Sequence, residues 1–598
     1  MAAVLWRRGW RNFKEVPVLA MGFQSKPISS SSSLRTEKLT KSYVHNPSLF
    51  KFPGKTVGQT LEATAAAHPN KEALVFCREG IRKTYEEFLY DVRQAAAGFI
   101  SVGVNRGDRL AIWGTNSYDW VVTQFASFHI GAILVNINPA YRSAEFNYSM
   151  NKVGVKAIVS APSFKTSDYY AMLTENCPEL EDSQPGQLKS KGIPSLETVI
   201  MMGKNNLKGT YNFDDVKLNG KAEDFQKLKQ IHEDLNFDDP INIQFTSGTT
   251  GFPKGCTLTH HTILNNAFSI GYQLGFNEKQ EGRICLPIPL YHAFASIGGT
   301  ITSVVYPAAS ICPSPTFDPE ATMEAIDKER VTVIFGTPTI YVQILNHPKF
   351  NEYNYDSLTT GLMGGSPCPP ELIKQFIENM GADEIMITNV LLQTQIIVCG
   401  ECCNNDCYDT KVRQVKPKIN FSQLKVVDPE TKKIVPINTQ GEICSRGYNV
   451  MLKYWEDEEK TREALDESGW YYTGDLGVLD EEGRLKITGR SKDMIIRGGE
   501  NIFPVEIENL LLEHPKVENV QVVGIPHEGW GEEVCACIKV KDGQTATKDE
   551  IIEFCKGKIT HFKVPAHVVF MDSFPLTVTF KVKKFELREI AAKMVAEK

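Results

Sequence analysis

Thr246-Ser247-Gly248-Thr249-Thr250-Gly251-Phe252-Pro253-Lys254-Gly255 sets four hydroxyls, three glycines and one lysine in a row, with no acidic residue. Glycines let backbone N–H groups close on an anion, hydroxyls donate further hydrogen bonds, and lysine adds charge. The run therefore suits a loop wrapped around polyphosphate. Upstream, Ile241, Ile243 and Phe245 alternate as in a strand, and Cys256 to Leu258 reads as a second short strand leaving the loop. A Walker A loop, G-x-x-x-x-G-K-[ST], does not fit: counted from Gly248, Pro253 stands where the second glycine belongs, and Gly255 follows Lys254 where a hydroxyl is required. Pro253 and Gly255 also oppose a helix springing directly from the loop, so a helix N-terminus is not the expected cradle. The bland alternative is a glycine-rich hairpin, but such hairpins rarely concentrate so many donors.

Around this loop lies a chain of 598 residues, too long for one core, so two or more domains are expected. Its 42% hydrophobic and 23% charged content is that of an ordinary globular protein. A net charge of -7 gives no reason to expect nucleic-acid binding. Its 14 cysteines are scattered rather than set in a small stapled framework, which favours a reducing compartment. The most membrane-like run, Trp120 to Val135, is interrupted by Gln124, His129 and Gly131, so no transmembrane segment is expected.

Residues 1–43 differ in kind. Arg7, Arg8, Arg11, Lys14, Lys26, Arg35, Lys38 and Lys41 face only Glu15 and Glu37, with a serine run from Ser29 to Ser33. Leu5, Trp6, Trp10 and Phe13 fit one face of a basic helix. This is the makeup of a mitochondrial transit peptide; a disordered basic tail is the alternative.

From Val57 onward helical and strand patterns alternate. Tyr85 to Ile100 and Tyr118 to Ile130 read as helices; Arg109 to Trp113, Ala132 to Ile137 and Val155 to Val159 read as strands. Such alternation argues for layered α/β with largely parallel sheets. The polar stretch from about 183 to 239 reads as a surface excursion. Val517 to Gly524, Glu533 to Val540, Lys548 to Lys558 and His567 to Met571 read as a small α+β unit, and a boundary is placed near Lys492. The expected division is a large domain over residues 50–491 and a small, mobile one over 492–598.

Four further stretches complete a pattern: Pro289-Leu290-Tyr291-His292, Tyr472-Thr473-Gly474-Asp475, Gly489-Arg490-Ser491-Lys492-Asp493 and Arg497-Gly498-Gly499-Glu500-Asn501-Ile502. Singly each is weak: T-G-D is commonly a turn, and a lone histidine is more often a satisfied loop residue. In this order and spacing, with T-S-G-T-T-G-x-P-K-G, they resemble the adenylate-forming superfamily of acyl-CoA synthetases, luciferases and peptide-synthetase adenylation domains. The likeness spans roughly Val57 to Glu589. Strings such as Asn138-Pro139-Ala140-Tyr141 and Gly336-Thr337-Pro338-Thr339 bring the chain nearest to the mitochondrial medium-chain fatty acid ligases, which agrees with the basic leader and points to the matrix.

The resemblance implies an ATP-dependent acid–thiol ligase: a fatty acid is converted to an acyl-adenylate, then to acyl-CoA. It assigns Thr246 to Lys254 to ATP phosphates, Asp475 and Arg490 to the ribose, and Lys254 and Lys581 to catalysis. His292, Gly364 and Gly365 go to the acyl substrate, Gly499 and Glu500 to the coenzyme A channel, and Lys492 to an interdomain hinge. Two anions must meet in the first step, so cations dominate it: Mg²⁺, Lys254 and Lys581. The resemblance leaves the magnesium ligands and the oligomeric state unassigned.

Two stretches depart from the pattern. Where the family has aromatic-Gly-x-Thr-Glu, this chain has Thr388-Asn389-Val390-Leu391-Leu392, without the phosphate-binding threonine or the magnesium-holding glutamate. A non-catalytic nucleotide or acyl-CoA binder is therefore the alternative function. Cys399, Cys402, Cys403 and Cys407 follow, with one C-x-x-C and no second pair at a zinc spacing. The second departure is Phe580 before Lys581, where the family has glycine; a phenylalanine reaches the left-handed region only at a cost and is expected to threaten the position of Lys581.

Overall fold

The computed structural model describes residues 38–597 apart from 46–51, 204–205, 247–252, 277–280, 366–367, 383, 392–395, 400–421, 491 and 499. The leader, most of the phosphate loop, Gly499 and Cys402, Cys403 and Cys407 thus lie outside the described residues.

Residues Leu39 onward form one compact unit. Two eight-stranded sheets carry its main core. In the first, Thr198–Met201, Ala157–Ser160, Arg109–Trp113, Ile133–Ile137 and Pro240–Thr246 run parallel. Lys254–Thr259 then returns antiparallel to Pro240–Thr246, with Thr246 opposite Lys254. The second sheet is parallel through Thr360–Gly364, Val333–Gly336, Arg283–Cys285, Ala309–Cys312 and Glu72–Phe76, with antiparallel strands at both edges. Its strands are almost wholly buried because helices cover both faces, as parallel sheets require. A third, antiparallel five-stranded sheet contains Tyr471–Leu479 and Leu485–Arg490.

The helices follow their local chemistry. Tyr85–Ser101 starts at a capping box in which Thr84 and Glu87 bond each other's backbone, and it buries Phe88, Val92, Ala95, Ala96 and Phe99 on one stripe. Tyr118–His129 is capped by the Ser117 hydroxyl and is buried along nearly its whole length. No helix among the described residues is long and apolar enough to cross a membrane.

The C-terminal part is a small sheet of Ile495–Arg497, Glu500–Ile502, Val517–His527, Gly531–Val540 and His567–Phe570 with its own core around Ile507, Leu511, Val520 and Ile538.

One expectation needs correction. The stretch 183–239 is no mere excursion, because Thr198–Met201 pairs in parallel with Ala157–Ser160 inside the first sheet and two helices, Phe213–Asn219 and Ala222–Asp234, follow. Short strands hide in polar surroundings when only four residues are buried. At the end of the basic segment, Tyr43–His45 pairs with Ser422–Val427 in the third sheet, and the Ser42 hydroxyl donates to the Pro436 carbonyl at 2.8 Å.

Candidate active site

The strand Pro240–Thr246 carries the phosphate loop to one end of the first sheet. Its partner strand begins at Lys254, so loop and lysine hang from a hairpin rather than from a helix; the helix His260–Gln273 starts six residues later. Thr246 is buried at the root of the loop, and Lys254 sets its ammonium 5.2 Å from the Tyr454 ring. Ser247, Gly248, Thr249, Thr250, Gly251 and Phe252 lie outside the described residues.

Beside the hairpin opens a cleft of about 1140 Å³ whose walls include Gln244, Tyr291, His292, Gly365, Asp475, Arg490 and Lys581. Asp475 sits on the strand Tyr471–Leu479 and Arg490 at the end of its neighbour, directly opposite in register. The Arg490 Nε donates to the Asp475 carboxylate at 3.0 Å. Burial pushes the carboxyl up to about 6, against the pull of Arg490 and Lys581.

Lys581 arrives from the C-terminal part. In the turn holding it, the Lys581 N–H donates to the Thr577 hydroxyl at 3.0 Å and the Thr577 N–H donates to the Lys581 carbonyl at 2.8 Å. Phe580, inside that turn, has φ +58° and packs edge-on against Phe317 of the large part with ring centroids 5.0 Å apart. The residue that replaces glycine thus adopts glycine's conformation, and Lys581 still enters the cleft; the expected displacement does not occur. The Lys581 side chain runs past Gly365, which has φ +88° and where a Cβ would stand 2.9 Å from the lysine Cε. Burial and the repulsion of Arg490 bring its ammonium down to about 8, partly offset by Asp475.

His292 caps a short helix: its Nδ1 accepts the Phe294 N–H at 3.1 Å. A neutral imidazole accepting at Nδ1 carries its proton on Nε2, and that buried Nε2 has no other partner among the described residues. Burial, then the nearby Lys581, holds His292 well below the usual histidine range, so it is a neutral N–H donor.

Gly364 ends the strand Thr360–Gly364, directly before Gly365. Lys492 follows Arg490, and its ammonium is lowered by burial, then by Lys254 and Arg490, so several cations gather near the loop. Glu500 does not line the cleft; it is exposed on the hairpin formed by Ile495–Arg497 and Glu500–Ile502.

Sequence reasoning passed over one feature. Asn136, Asn242 and Gln244 form a buried amide chain: the Gln244 amide donates to Asn242 at 2.8 Å, Asn242 to Asn136 at 3.0 Å, and Asn136 to the Tyr291 carbonyl at 2.9 Å. It ties the loop's strand to the segment bearing His292. The signal was present as amides at 242 and 244, in step with the apolar residues between them.

Comparison with known proteins agrees with this geometry. The AMP-binding enzyme family matches residues 61–455, and the AMP-binding enzyme C-terminal domain matches 506–581. The chain is 46% identical over 558 residues to the medium-chain acyl-CoA ligase ACSF2, mitochondrial, of Danio rerio, covering 93% of this chain and 92% of that protein. It is 40% identical to the putative acyl-CoA synthetase YngI of Bacillus subtilis, covering 90% and 97% respectively. Among solved structures, the anthranilate CoA ligase AuaEII in complex with anthranoyl-AMP superposes with a TM-score of 0.76 at 23% identity, covering 92% of this chain and 99% of that one, a likeness of fold.

Proposed function

Because the chain belongs to the AMP-binding enzymes and groups there with acyl-CoA ligases, we propose that its cleft joins a medium-chain fatty acid to coenzyme A at the expense of ATP. The observation that carries the reading is the Lys581 ammonium, delivered from the C-terminal part into a cleft walled by Asp475, Arg490, His292 and Gly365.

In this reading Thr246 to Lys254 enclose the ATP phosphates and Asp475 accepts the ribose hydroxyls with Arg490 beside it. The fatty carboxylate attacks the α-phosphorus, the bond to the bridging oxygen breaks, and pyrophosphate leaves. Lys581 stands between the two anions, and their arrival favours its protonated form. The neutral His292 Nε2–H is a donor for the acyl group without added charge. Coenzyme A then attacks the acyl carbon through its sulfur; AMP leaves and the thiol proton is released. For that step the small domain (492–598) turns about Lys492 against the large one (50–491), withdrawing Lys581 and bringing Gly499 and Glu500 to the coenzyme A channel.

The chain's donor set does not fit the family's magnesium site. The strand Glu384–Leu391 pairs its Thr388 with Gly364, beside the cleft, yet Ile385 to Leu391 carry no carboxylate.

A mitochondrial destination, in the matrix, fits the basic leader, which on this reading ends before Leu39, where the folded body begins. The test is AMP release by the purified chain. It should require both a medium-chain acid and coenzyme A; ATP binding without acid-dependent turnover would leave only a binder.

A further inference from the structure

Away from the cleft, three helices bring Glu62, His129 and His232 together: Val57–Ala67, Tyr118–His129 and Ala222–Asp234. Their nearest ligand atoms all lie within 4.8 Å of one another. The His129 Nδ1 donates to the Phe125 carbonyl at 2.9 Å, which leaves a bare lone pair on Nε2. That nitrogen is buried, has no hydrogen-bond partner among the described residues, and faces Glu62 Oε1 at 4.0 Å. Two acceptor atoms therefore face each other, with no donor between them among the described residues. His232 Nε2 stands 3.4 Å from the other oxygen, Glu62 Oε2, and the two imidazoles stack with centroids 5.4 Å apart. Gly58 makes room: a Cβ there would come within 3.3 Å of both rings.

We propose that Glu62, His129 and His232 are the protein ligands of a divalent cation, zinc by donor type, which clips the helix Ala222–Asp234 to the large domain. Two imidazoles and one carboxylate at tetrahedral zinc stand about 3.3 Å apart when each bond is about 2.0 Å. The His232 Nε2–Glu62 Oε2 separation of 3.4 Å already matches; His129 Nε2 stands 4.0 Å from the other oxygen, Oε1, and since one ligand atom from each residue lies within 4.8 Å of the others, the side chains must close by about 1.5 Å at most on the ion. Arg93 donates from Nη2 to Glu62 Oε1 at 2.8 Å, orienting the carboxylate and leaving Oε2 toward His232. His260, close by, is not a ligand, because its Nδ1 accepts the Val57 N–H at 3.2 Å and its proton is on Nε2. Glu62 and His232 are partly exposed, which gives the ion an entry and water a fourth position. Magnesium and calcium, which take oxygen ligands, are poor occupants.

The test uses the full chain stripped with chelator, then titrated with Zn²⁺ and, as a spectroscopic probe, Co²⁺, in excess Mg²⁺. Glu62→Gln and His232→Gln probe the site; Cys399→Ser with Cys402→Ser removes the C-x-x-C pair. The parent chain should take up about one zinc, gain thermal stability from it, and give cobalt bands of nitrogen–oxygen ligation without thiolate charge transfer. Glu62→Gln and His232→Gln should each lose affinity tenfold or more, roughly as metal-site changes do, while the double cysteine variant keeps it. Circular dichroism of the metal-free variants separates lost binding from lost fold. Absence of uptake by the parent, thiolate charge transfer, or affinity equal to the parent's in Glu62→Gln and His232→Gln would each overturn the assignment.

Discussion

Phe580 occupies a left-handed conformation that costs a non-glycine residue roughly 1–2 kcal/mol. Its edge-on contact with Phe317 offsets that cost, since such aromatic pairs contribute roughly 0.5–1.5 kcal/mol beyond their buried area. Phe580→Ala keeps the strain and loses the contact, so it should slow adenylate formation about three- to tenfold, whereas Phe580→Gly should recover much of the loss. Wild-type adenylation by the alanine variant, in a single-turnover assay, would show that Phe317 does not hold the turn. Asp475 carries the second prediction at this scale. A buried carboxylate bonded to ribose hydroxyls contributes on the order of 2 kcal/mol, so Asp475→Ala should raise the KM for ATP by about 30-fold; an unchanged KM would make Asp475 part of a structural turn. The same groups set a pH profile. Asp475 must be ionised, so kcat/KM for adenylation falls as pH drops through about 6. Lys581 must be protonated, so it also falls as pH rises through about 8. A profile flat over that range would remove both residues from the reaction.

At the scale of elements, the strand Glu384–Leu391 is where the family's threonine and glutamate are missing. Thr388 lies opposite Gly364 in register, so the substituted stretch borders the cleft. Replacing Thr388 to Leu392 by an aromatic-Gly-Thr-Thr-Glu sequence should raise ATP–pyrophosphate exchange by roughly two decades, since one absent charge clamp costs about 3 kcal/mol. Robust exchange by the chain as it stands would show that another carboxylate has taken over the metal. Elements of this kind were legible unevenly. Long stripes such as Phe88, Val92, Ala95 and Phe99 announced their helix, and alternation at Ile241, Ile243 and Phe245 announced the loop's strand. The same alternation concealed Asn242 and Gln244, because period-two reasoning assigns polar residues to solvent, whereas this strand is central and buried on both faces. The convergence of Asp475, Arg490 and Lys581 could not be read from spacing at all, since more than 100 residues separate Asp475 from Lys581; only the family resemblance anticipated it. The triad of Glu62, His129 and His232 went unread for the same reason.

For the whole molecule, the account rests on one small domain serving two half-reactions in turn. Lys492, beside Arg490 at the junction, is the proposed pivot, and its backbone must change conformation between the two steps. Lys492→Pro fixes that backbone and should spare adenylate formation while slowing thioester formation by about tenfold or more; equal rates for both steps in this variant would place the pivot elsewhere. The most direct test of the division of labour is Lys581→Ala, followed through each half-reaction separately. The account predicts that adenylate formation from ATP and a medium-chain acid is abolished, while thioester formation from pre-made acyl-adenylate and coenzyme A is largely retained. Equal loss in both half-reactions would contradict it, because Lys581 would then support the fold of the small domain rather than the meeting of two anions.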